Sequence, residues 1–209
     1  MESVVIGDVS DIESGLEYLC AVENRFAEAV ALTGTPPLRL RPDGFTTLLD
    51  IIVSQQLSVA SADAIWKRLD EKGLTGQSAL RNCDEEELRR CGLSRQKAEY
   101  ARALARSDLD YTSLSGLDDE SVVRKLVAIR GIGVWTAEIY AMSALGRSDV
   151  LAAGDLALQE SARLLFDLDR RPTERELRQM ASAWSPWRAV AARLLWAYYR
   201  VAMKREGIR

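Results

Sequence analysis

Apolar residues recur at the helical spacing of three and four in almost every readable stretch of this chain, and the alternation that marks a half-buried strand is scarce. That pattern predicts an all-α fold. Ile12, Leu16, Leu19, Cys20, Phe26, Ala27 and Val30 trace one face of a first helix, which Thr33-Gly34-Thr35-Pro36-Pro37 ends. Thr35 to Asp43 reads as a linker. Phe45 to Leu69 is helical with a break or bend near Gln55 to Ser58. Asp84 and Glu87 form a capping box for a short helix closed at Gly92, Ser94 caps the next to about Leu109, and Asp118 or Asp119 starts another. Thr173 and Glu176 repeat the box. Ser185-Pro186 sets a cap before a proline at the first helical position, followed by the stripe Trp187, Val190, Ala191, Leu194, Leu195, Tyr198, Val201 and Ala202.

One turn in this helical chain carries chemistry. Between an apolar helix ending near Leu126 and another starting at Val134 stands Arg130-Gly131-Ile132-Gly133, and the second helix repeats Trp135, Ile139, Met142 and Leu145 up to Gly146. Two helices joined by Gly-Ile-Gly leave bare backbone N–H groups at a helix N-terminus, where the peptide dipoles favour an anion and missing side chains admit a phosphate. This suits a grip on the DNA backbone. A loop from Arg147 to Gly154 then delivers a lone Asp155 to the start of a further helix, where aspartate is a good cap.

Composition removes other chemistries. The chain has no histidine, which excludes Ser-His and Cys-His nucleophiles and His-ligated metals. Cys20, Cys83 and Cys91 fit neither a zinc nor a disulfide pattern, and no cysteine follows to build a C-terminal iron–sulfur cluster. Free buried thiols, no metal and no cofactor are expected. The formal net charge of −3 argues against a protein that merely coats nucleic acid. The basic run Arg89, Arg90, Arg95, Lys97, Arg102 and Arg106, set against Glu99, reads either as a solvated helix face or as a DNA contact. With neither a secretory segment nor an apolar run of about 18 residues, a soluble intracellular protein is expected, cytoplasmic and nucleoid-associated in a bacterium. No feature points to a membrane or an oligomer, so a monomer is the expected state.

The run from Leu126 to Ile139 around Gly131-Ile132-Gly133, followed by Asp155, resembles the helix-hairpin-helix and catalytic aspartate of the HhH-GPD base-excision DNA glycosylases. Within that superfamily it is most similar to DNA-3-methyladenine glycosylase II. Ile51 to Ser58, Gly92 to Ala98 and Ser185 to Trp196 match further blocks in the family's order. The resemblance implies one glycosylase unit over 1–209. Its middle lobe would span about 44–146 with the hairpin at 126–142, its second lobe would be formed by about 1–43 and 147–209, and a DNA and base cleft would lie between them. The implied partner is duplex DNA containing damaged bases.

The resemblance also assigns roles. Asp155 would stabilise the positive charge that develops on the sugar as the N-glycosidic bond breaks, or orient the attacking water. Members that also cut the strand carry a lysine two positions after the second glycine; here that position is Trp135, which cannot form a Schiff base. A monofunctional hydrolase that leaves an abasic site is therefore implied. Trp135 and Trp196 would stack on a flipped, cationic alkylated base, with Tyr140 a further pocket candidate and Gln55 beside the base. Gln56 or Leu57 would wedge into the duplex. Gly131, Ile132, Gly133 and Thr136 would meet the DNA backbone. Leu151-Ala152 stand where the family commonly has Phe-Pro, and Ala157 where it often has glycine, so the loop before Asp155 is expected to be less pre-set. Two other readings use the same residues: a non-catalytic DNA-structure binder in which Asp155 only caps, and a glycosylase for another damaged or mismatched base.

Overall fold

The computed structural model describes residues 4–203, and the ends of the expected 1–209 unit lie outside them. Among the described residues all regular structure is helical apart from an isolated bridge between Val5 and Arg147. The chain divides into two compact units, Met1–Leu40 with Ala141–Arg209, and Arg41–Tyr140.

In the first unit α1 (Val9–Val22) starts from a full capping box, with Asp8 accepting from Ser10 and Asp11 amides and the Asp11 carboxylate returning to the Asp8 amide. The single first helix expected from Ile12 to Val30 is in fact two. At Glu23 the backbone turns extended (φ −151°, ψ 107°), and the Glu23 carboxylate takes the Arg25 amide at 3.1 Å, so a side chain competes with the helix ladder. α2 (Arg25–Thr33) resumes and keeps Phe26 and Ala29 buried, so the apolar face survives the break. The linker after it leads into the second unit.

There α3 (Phe45–Ser54) and α4 (Val59–Glu71) are separated by the expected break. A short α5 (Gln77–Asn82) was not legible in the periodicity. α6 (Glu85–Arg90) is capped by Asp84, but Glu87 does not complete the box: its carboxylate accepts from the Cys83 thiol at 3.3 Å and faces Lys72 at 3.8 Å. α7 (Arg95–Arg106), capped by Ser94, packs on α3, α5 and α6. α8 (Asp119–Val127) is capped by Asp118, and α9 (Val134–Ser143) follows the glycine turn, with the division between the units falling inside it.

Back in the first unit, α10 (Leu156–Leu165) is capped by Asp155 and α11 (Glu174–Met180) opens on the Thr173–Glu176 box. α12 (Arg188–Met203) begins two residues later than Pro186 predicts. Ser185 gives its hydroxyl to Asp149 at 2.7 Å, and a short 3-10 turn (Ala181–Trp184) precedes the helix. α12 packs on α10, α2 and α1. Its Arg193 is buried, and the guanidinium donates to the carbonyls of Leu38 (3.0 Å), Met142 (2.9 Å) and Ala189 (2.9 Å). Burial pushes its pKa down to about 10, still far above neutral, so a cation ties together the two segments that flank the inserted unit.

Cys83 and Cys91 are buried free thiols, and burial raises the Cys83 pKa to about 12; Cys20 is free but only half-buried. No helix among the described residues is long and apolar enough to cross a membrane.

Helix α1 meets α12 through Gly15, where an added Cβ would lie 2.7 Å from Val190 and 3.0 Å from Trp187. Gly15→Leu is therefore expected to destabilise the fold by about 1–3 kcal/mol through overpacking, measured as a lower urea midpoint at unchanged slope.

Candidate active site

The carboxylate of Asp155 is 5% exposed, and its Oδ1 accepts from the Ala157 amide (2.9 Å), the Leu158 amide (3.1 Å) and the indole Nε1 of Trp196 (3.4 Å). The first two bonds are the N-cap of α10, and they satisfy donors the helix cannot. The third comes from α12, fixes the rotation of the carboxylate, and places Trp196 at its side. Sequence reasoning put these two residues in one site, and within this unit they touch.

The loop carrying Asp155 is tightly held, contrary to the expectation raised by Leu151-Ala152. Leu151, Ala152 and Ala153 are buried, the Asp155 amide donates to the Ala152 carbonyl (2.9 Å), and the Ala153 amide donates to that of Leu151 (2.8 Å). The buried side chain of Gln159 reaches back from α10 to the Ala153 carbonyl at 2.8 Å. Gln159 was not anticipated; its only sequence signal was an amide at the i+4 position from the aspartate.

In the second unit the chain after α3 makes the other half of the candidate set. Gln55 caps α3 and gives its side-chain amide to the hydroxyl of Thr136 on α9 at 2.7 Å. Gln56 sits at φ +55°, and Leu57 after it is 39% exposed. Trp135, adjacent to Thr136, is half-buried. Thr136 is 2% exposed, so its side chain orients Gln55 and does not itself reach a phosphate. Tyr140 is also corrected: it is fully enclosed, its hydroxyl donates to Asp43 and accepts from the Gly44 amide at 2.9 Å, and no ring face remains for a base.

The glycine turn separates into two functions. Gly131 has φ +95°, and a Cβ there would fall 2.2 Å from the Tyr100 ring, so this glycine serves the protein's own packing. Ile132 is buried, with its amide spent on the Ile129 carbonyl at 3.1 Å, so its side chain anchors the turn. Gly133 has neither constraint: nothing lies within 4 Å of its Cβ direction. Gly133 accepts from Ala137 at the head of α9, whose first-turn amides lack acceptors inside the helix. The open approach and the dipole together suit an anion.

Helix α7 braces this unit. Tyr100 covers Gly131, Glu99 pairs with Arg130 at 2.8 Å, and Lys97 reaches the end of α3. Two arginines of the basic run form ion pairs: Arg90 with Glu86 (2.7 Å), and Arg95 with Glu85 (3.7 Å) and Glu99 (3.6 Å).

Residues 49–186 match the family described as HhH-GPD superfamily base excision DNA repair protein. The alkylbase DNA glycosidase-like protein mag2 of Schizosaccharomyces pombe is 26% identical over 90% of this chain and 93% of its own length. The crystal structure of a DNA-3-methyladenine glycosidase from Bacillus halodurans superposes with a TM-score of 0.77 at 31% identity, covering 98% of this chain and 94% of that one. The Schizosaccharomyces pombe 3-methyladenine DNA glycosylase in complex with abasic DNA gives a TM-score of 0.78 at 26% identity, covering 90% and 95%.

Substitution separates the two glycines. Gly131→Ala should lower stability by more than about 1 kcal/mol, from the left-handed backbone and the Tyr100 overlap. Gly133→Ala should leave the unfolding midpoint where it is, both read by urea denaturation.

Proposed function

The chain belongs to the HhH-GPD superfamily of base excision DNA repair proteins, and from that premise we propose that it is a monofunctional DNA glycosylase for alkylated purines of the 3-methyladenine type. Water attacks the sugar carbon, the N-glycosidic bond breaks, and free base and an abasic site result. The observation that carries the reading is Asp155, a nearly dry carboxylate held in one orientation by three donors on a single oxygen. Such a fixed charge costs no reorganisation as positive charge grows on the sugar, and it acts at low dielectric.

The other parts follow from chemistry. Position 135, where strand-cutting relatives of this kind need a lysine, is tryptophan, so water serves as nucleophile. An electron-rich indole attracts a base made cationic by alkylation, which favours alkylated purines over neutral mismatched bases. The head of α9 at Gly133 takes the DNA phosphate. Leu57 supplies the apolar wedge, because it is exposed and follows a left-handed residue, whereas Gln56 is polar.

Asp155 also caps α10, which leaves open a protein that binds DNA without catalysis. Asn caps a helix as well as Asp does, so Asp155→Asn removes the charge and keeps the cap. With methylated duplex DNA and chromatography of the released bases, the wild type should release methylated purines. Asp155→Asn should fold normally, bind DNA equally well, and lose roughly 10²–10³ in rate. Equal release by both proteins, or none by either, would reject the assignment. Trp135→Ala should lower excision roughly ten- to hundredfold through lost stacking, and undiminished release would remove Trp135 from base recognition.

A further inference from the structure

Lys97 is a half-buried cation that the chemistry above does not use. Its ammonium donates to the carbonyls of Val53 at 2.8 Å and Gln55 at 2.5 Å. These carbonyls close α3, where helix oxygens lack amide partners and a positive charge is favoured. Immediately beyond stands the turn with Gln56 at φ +55° and Leu57 exposed, and α4 begins after it with Ser58 as cap. A residue other than glycine enters the left-handed region at a cost and stays there only when its surroundings impose it. Two contacts impose it here from the Gln55 side: Thr136 on the side chain and Lys97 on the carbonyl. Burial lowers the Lys97 pKa from its ordinary value, so the ammonium has given up hydration to reach these oxygens.

We propose that Lys97 is a positioning residue for base unstacking, clamping the end of α3 so that the Gln56–Leu57 turn is pre-formed for insertion into the duplex. The inference rests on the reading of Leu57 as the wedge. Without the clamp, the Gln55 peptide can rotate, Gln56 can leave the left-handed region, and part of the binding energy is spent on re-forming the turn. DNA affinity through the hairpin does not depend on it.

The test uses the full-length protein and a duplex with a tetrahydrofuran abasic analogue beside 2-aminopurine, whose fluorescence rises on unstacking. This readout needs no base release, so it is independent of whether the protein is a glycosylase. Wild type should give the rise. Lys97→Met, which keeps the aliphatic stem, should lower the fraction inserted roughly tenfold, the scale of a lost hydrogen bond to a charged group. Its affinity for undamaged duplex should stay within about twofold, and Lys97→Arg should restore most of the signal. Should Lys97→Met unfold, Lys97→Gln, which can still donate to one carbonyl, replaces it with the same expectation. A full signal from the uncharged variants, a parallel loss of undamaged-duplex binding, or no rise with wild type would each overturn the proposal. On methylated DNA, Lys97→Met should also lose more activity on a paired lesion than on one left unpaired in a bulge, whereas general damage to the fold would lower both alike.

Discussion

A carboxylate withdrawn from water must be offset by donors, and at Asp155 two amides of α10 and the indole of Trp196 supply them on one oxygen. The bonds that make burial tolerable also set the direction in which the charge faces. Capping and the proposed catalytic role are therefore compatible in this residue. The helix needs an acceptor for its first-turn amides, and the proposed reaction needs a fixed negative charge. One side chain can meet both needs, provided that its loop is held. Gln159 and the buried run Leu151 to Ala153 hold it.

In the other unit, pre-organisation comes from α7. Its residues Lys97, Glu99 and Tyr100 respectively fix the end of α3, the arginine before the glycine turn, and Gly131 itself. Of the basic run, which in sequence reads either as a solvated helix face or as a DNA contact, Lys97 is spent on the end of α3, while Arg90 and Arg95 pair with neighbouring carboxylates. A net-acidic chain suits the proposed DNA contact through a few backbone amides and a wedge better than one through a broad cationic field.

Helix period, caps and the glycine turn were legible because each is a local signal: Asp84, Ser94, Asp118 and Thr173 all cap where the sequence places them. The errors arise where a side chain finds a distant or competing partner. Glu23 bonds a neighbouring amide and splits the first helix, and Ser185 bonds Asp149 and delays the last one. At the site, Asp155 as the cap of α10 and Gly133 as an open glycine at the head of α9 could be read from spacing and chemistry. Tyr140 could not be sorted from the pocket candidates, since an aromatic on a helical stripe looks the same whether its hydroxyl is buried on Asp43 or its ring faces a ligand. Lys97 and Gln159 were invisible as positioning groups because their partners are backbone carbonyls, which every residue has.

Attack by water, promoted by a held carboxylate as proposed, forms no covalent bond between protein and DNA. Borohydride added during turnover on methylated duplex DNA checks this, because it would reduce and trap a Schiff base. The expected outcome is released base, a strand that stays intact until alkali is added, and no protein–DNA adduct. A trapped adduct with strand cleavage would overturn the proposed reaction and point to a lysine nucleophile.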